Sequence, residues 1–194
     1  MSIKYKGVID SIDDAKLKVP KSMVKYIDLE LLAKEGKSTA IYNIVSLMVP
    51  VIIFSIKYLE MKETPFVFNL VGIVIGCVLL LPHELLHGMC FSRKNNVCIY
   101  QMINPSRMFI TSDELLSRKK FIFMSLLPSI MFGLLPLIAW LFVSPYTYFA
   151  KVLFSVGFIN IITGGKDYMN VIKTVRYVPR TAKIQMAGLK VYYI

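Results

Sequence analysis

Histidine is almost absent from this sequence: there are two in 194 residues, His83 and His87. Cysteine is nearly as scarce. Cys77, Cys90 and Cys98 are odd in number and form no CxxC pair. They read as free thiols and exclude a disulfide framework. Acidic residues number 12 against 23 lysines and arginines, and beyond Glu114 the only one is Asp167. No internal repeat or low-complexity tract breaks the chain, so residues 1–194 read as one domain.

Charge is missing over long distances. Ser38 to Ile56, Phe66 to Leu81 and Phe121 to Val143 carry none, and Tyr146 to Gly165 carries only Lys151. The chain is 56% hydrophobic with mean hydropathy +0.59, which excludes an ordinary soluble domain. A membrane span needs about 20 apolar residues. The sequence therefore predicts a mainly α, polytopic membrane protein with four transmembrane helices, at about 39–58, 66–90, 121–143 and 146–165. The last two are joined by the "SPY" turn as a hairpin. The first apolar run follows a long stretch of mixed charge, so it is not a signal peptide and is expected to stay in the mature protein. Residues 1–38 and 92–120 alternate in polarity and predict a small extended or β element outside the membrane. In "VCIYQMINPSRMFI", Asn104-Pro105 suits the turn of a hairpin that could pair with an extended substrate. A plain connector is the simpler reading.

The net charge of +11 is unevenly placed. Eight basic residues precede residue 40, six lie in 92–120 and six follow from Lys166. In a four-helix zigzag these three segments share one side. The positive-inside rule makes that side cytoplasmic, with both termini, and removes the need for a nucleic-acid partner. The chain is then a multi-pass protein of the plasma membrane, in contact with lipid. His83 lies 17 residues after Phe66, about 25 Å along a helix, and so near the cytoplasmic end of the second span.

Both histidines sit in "HELLH". Residues four apart share a helix face, so His83 and His87 can point at one metal ion. Glu84 lies beside that face. Zinc lowers the pKa of a bound water to about 7, and a carboxylate so placed takes its proton. Ionisable groups at membrane depth are costly and mark function. Pro82 removes a backbone hydrogen bond just before His83 and could open the helix there.

Catalytic zinc wants a third protein ligand. Asp167 arrives at the cytoplasmic end of the fourth span, at the depth of His83. Asp113 and Glu114 precede the third span, where capping is the competing role. Cys90 lies three residues after His87, where a buried thiol is the commoner explanation. Asn160, seven residues before Asp167 and on its face, could contact substrate or an oxyanion, or could hydrogen-bond between helices.

"PHELLHGMCF", "SRKKFIFMSLLP" and a glycine turn ending in aspartate resemble a bacterial family of zincin membrane peptidases of otherwise unknown function. More distantly, the chain is similar to the site-2 intramembrane metalloproteases. The resemblance implies that His83, His87 and Asp167 bind one zinc ion and that Glu84 is the general base. In site-2 proteases glycine follows the aspartate; here it precedes it, in "GGKD". The expected function is hydrolysis of a peptide bond in a membrane-associated peptide or protein near the cytoplasmic face. The alternative is a catalytically silent zincin-like protein that binds or regulates a partner.

Overall fold

The computed structural model describes residues 2–9, 22–28, 40–59, 61, 66–92, 96–102, 107–187 and 190–194. The described residues are mainly helical, with two small sheets. They fall into two compact units. One holds residues 1–38, 84–125 and 170–194; the other holds 39–83 and 126–169.

The second unit is helical, and helical residues 84–89, 118–125 and 170–177 fall in the first. Helices α1 (Ala40–Ser46) and α2 (Met48–Tyr58) together give an apolar span of 18 residues, Ile41–Tyr58. Helices α3 (Leu70–Val78) and α4 (Leu80–Met89) give a second, Leu70–Met89. The third span, Arg118–Leu141, is built from α5 (Arg118–Pro128), a π-helical segment (Ser129–Leu134) and α6 (Leu135–Leu141). Pro128 and Pro136 bracket the π segment. Neither can donate a backbone N–H, so the helical ladder is interrupted there and locally widened. Helices α7 (Tyr148–Thr163) and α8 (Gly165–Tyr177) meet at a 51° bend. Three helices are thus long and apolar enough to cross a membrane, and four if the bent pair is one span. These ranges shift the first three expected spans by a few residues, whereas the fourth, expected to end at 165, is long enough only if it continues past the bend to Tyr177. Phe66–Asn69 are not helical: the Asn69 side chain caps α3 by accepting from Gly72 N.

The second unit's core is Ile53, Val67, Leu137, Trp140, Ala150, Phe154 and Ile161. Trp140 and Phe154 pack at 4.9 Å between ring centroids, and Phe68 meets both Phe154 and Phe158 edge-on. Small residues let the helices approach. A Cβ on Gly72 would lie 2.7 Å from Ser155 Cβ and 2.8 Å from Val152 O. That closeness lets Ser155 Oγ accept from Asn69 N at 2.8 Å. Gly76 continues the same contact one turn later, against Ile159. Gly72→Val should therefore push α3 off α7. We expect a loss of about 1–3 kcal/mol, read as a melting point several degrees lower in detergent. An unchanged melting point would contradict this packing.

The first unit carries the sheets. Strands β1 (Ser2–Ile9), β3 (Asn96–Met102) and β4 (Arg107–Ser112) form one, in the order β1-β3-β4. The β3–β4 pair is an antiparallel hairpin, and β1 runs parallel to β3. The 92–120 segment is therefore more than a connector. Its proposed turn at Asn104-Pro105 lies outside the described residues. The second sheet has the order β2-β7-β6-β5, from Val24–Asp28, Lys190–Tyr193, Lys183–Ala187 and Leu116–Ser117. The basic C-terminal segment from Lys166 carries no strand or helix signal in the sequence. Its residues instead form α8 and two strands that pair with β2 and β5.

Candidate metal centre

The HELLH residues lie in α4, a helix interrupted from α3 only at Leu79. His83 N donates to Leu79 O at 3.0 Å, so the helical ladder is restored one residue past Pro82. Four residues of helix turn His83 and His87 onto one face, and both are buried, at 6% and 5% exposure. Glu84 beside them is half-buried. The ligand-type atoms of His83, Glu84 and His87 all lie within 4.8 Å of one another.

Each imidazole has a partner on one ring nitrogen. His87 Nδ1 lies 2.9 Å from the carbonyl oxygen of Met124 in α5. A carbonyl only accepts, so Nδ1 carries the hydrogen and the neutral ring keeps its lone pair on Nε2. This is the arrangement of a metal-ligating histidine, with ring angle and tautomer both fixed by a backbone acceptor. His83 Nε2 lies 3.0 Å from Asp167 Oδ2. Asp167 is 5% exposed and occupies the first turn of α8. A carboxylate there is favoured by the positive end of the helix dipole. The same 3.0 Å suits two atoms that share one ion at about 2 Å each. It also suits a carboxylate that orients a histidine.

The "GG" before Asp167 has a packing reason. A Cβ on Gly164 would lie 2.7 Å from Ser129 Oγ and 2.8 Å from Tyr168 Oη. With only hydrogen there, the chain bends and α8 begins at once. Tyr168 Oη then donates to Ile161 O at 2.9 Å, and this occupies a carbonyl in the last turn of α7. The bend thus needs glycine before the aspartate and a tyrosine after it.

The other candidates are placed elsewhere. Glu114 accepts from Ser92 N at 2.6 Å and from Lys120 Nζ at 2.9 Å. It ties the segment after α4 to the start of α5, and Ser117 rather than Asp113 or Glu114 caps α5 by accepting from Lys120 N. Asp113 is exposed. Cys90 is half-buried. Burial pushes its thiol up, against the pull of Lys120, and so works against the thiolate form that binds metals. Asn160 is fully buried, and its Nδ2 donates to Gly76 O at 3.3 Å and Val156 O at 2.9 Å. In this structure it ties α7 to α3. Glu114→Ala should lower the melting point while leaving metal content unchanged. Loss of metal in that variant would move the third ligand to Glu114.

Sequence reasoning missed the Met124 carbonyl, a backbone group with no side-chain signature. It also missed Tyr168, which the "GGKDY" run could have flagged as a cap.

The residues present fit zinc: two buried imidazoles on one helix face, the lone pair of His87 set by its Nδ1 hydrogen bond, and the Glu84 carboxylate beside them. Comparison with the curated proteins and with the solved structures finds no match. A family profile described as "Putative zincin peptidase" matches residues 64–183, well over half of the chain and including the HELLH helix, Glu114 and Asp167. The chain belongs to this zincin peptidase family.

Proposed function

We propose that this protein is a membrane-embedded zinc metallopeptidase. Its substrate is a membrane-anchored or hydrophobic peptide, cleaved near the cytoplasmic face of the plasma membrane. The observation that carries the reading is the HELLH cluster itself. Two buried histidines have their donor atoms within 4.8 Å of each other and of Glu84, and one has its tautomer set by Met124 O. The apolar spans support the membrane setting, and the basic excess of the non-spanning segments supports cytoplasmic termini.

His83, His87 and Asp167 would hold the zinc. A bound zinc ion supplies Lewis acidity toward the scissile carbonyl and toward the attacking water. Glu84 takes the proton of that water and passes it to the leaving amine. Its half-buried position between the histidines keeps it within reach of both. Burial of His83, His87 and Asp167 lowers the local dielectric and strengthens each charge interaction at the reacting bond. We assign Asn160 to helix packing rather than to an oxyanion, because both of its N–H groups already meet carbonyls.

The test is cleavage of a quenched fluorogenic hydrophobic peptide by the detergent-purified chain. Cleavage should stop with 1,10-phenanthroline and return on adding zinc. Cleavage that persists after complete chelation would overturn the reading.

A further inference from the structure

Helix α8 buries a stripe of polar side chains. Asp167, Asn170 and Thr174 recur at i, i+3 and i+7 and share one face. They are 5%, 2% and 0% exposed. The opposite face turns Ile172 and Val175 outward, at 48% and 56% exposure. Met169 is buried as well, and Arg176 is exposed on the Ile172 face, so the buried polar stripe is the distinctive feature of this helix.

Two of the three buried polar groups have partners. Asp167 meets His83, and Thr174 Oγ1 lies 2.9 Å from Tyr26 Oη. The third does not. Among the described residues, nothing hydrogen-bonds to Oδ1 of Asn170. A buried acceptor left in this state costs about 1–3 kcal/mol, and a natural chain keeps such a group for a reason.

We propose that Asn170 is a substrate-binding residue. Its Oδ1 accepts the backbone N–H of a peptide substrate, one residue from the scissile bond. The inference rests on the peptidase reading above and deepens it. Three residues of helix carry Asn170 about 4.5 Å beyond Asp167. Successive peptide units are about 3.8 Å apart, so the spacing matches one step along an extended substrate. A peptide entering an apolar site must also have its own N–H groups satisfied, and an unused acceptor one turn from Asp167 does this.

The test uses two zinc-binding probes on the zinc-loaded chain in detergent, read by calorimetry. Acetohydroxamate has no peptide backbone; a dipeptide hydroxamate, N-acetylated, adds two backbone N–H groups. Asn170→Leu removes the acceptor at nearly equal volume, and Asn170→Ala serves if the leucine variant does not fold. Both variants should keep one zinc per chain and bind acetohydroxamate as the wild type does. The dipeptide hydroxamate should bind roughly tenfold more weakly. Asn170→Leu should also melt no lower than the wild type, because it removes a buried acceptor without a partner. Unchanged binding of the dipeptide probe overturns the proposal. So does equal weakening of both probes, or a fall in melting point with loss of zinc, since these mark a structural role. A wild type that carries no zinc and binds neither probe instead overturns the peptidase reading, and this inference with it.

Discussion

Glu84→Gln is expected to keep its zinc and lose its peptidase activity. Glutamine preserves the volume of Glu84 and its place on α4 between His83 and His87. It cannot take a proton from water. General-base catalysis by a positioned carboxylate contributes about 10²- to 10⁴-fold, so cleavage of the fluorogenic peptide should fall by at least 10²-fold. Metal content should stay at the wild-type level, because the two imidazoles and Asp167 are untouched. The two readouts must be taken together. Loss of cleavage with loss of zinc would make Glu84 a ligand or a structural group. Full cleavage with zinc retained would move the base elsewhere. A catalytically silent zincin would show no cleavage in either protein while still binding zinc.

Asp167→Ala is expected to have the second-largest effect, and it acts on metal affinity. The carboxylate lies 3.0 Å from His83 Nε2 in a buried setting, at 7% side-chain exposure on each partner. In the proposed function, removing it takes away a third ligand. At the least it takes away the group that orients His83, and that class of change alone weakens metal binding by about 10- to 100-fold. Competition with a chromophoric chelator should show a loss at the upper end of that range or beyond, with Glu114→Ala as the unaffected control. Equal zinc affinity in Asp167→Ala and wild type would remove Asp167 from the site.

The spans and the HELLH cluster were legible in the sequence, for separate reasons. Absence of charge over 16 to 23 residues admits few structures, and an i,i+4 histidine pair fixes its own geometry once the segment is helical. Asp167 stood out as a candidate, since no other acidic residue follows Glu114, and its place 3.0 Å from His83 Nε2 came only with the structure. The C-terminal part was not legible. Strands β6 and β7 pair with each other, but the sheet that holds them is completed by β5 and β2, far away along the chain. The continuation of α7 into α8 was hidden by the glycines, which read as a stop but here mark a 51° bend. Glu114 read as a possible cap or ligand. Its partners, Ser92 N and Lys120, are 22 and 6 residues away, and only tertiary structure brings the former close.

The central claim is that His83 and His87 bind zinc. Zinc per chain, measured by inductively coupled plasma mass spectrometry on the detergent-purified wild type and on the His83→Ala/His87→Ala double variant, tests it most directly. The account predicts one zinc per wild-type chain and close to none in the variant. A wild type without zinc, or a double variant that retains it, would contradict the account.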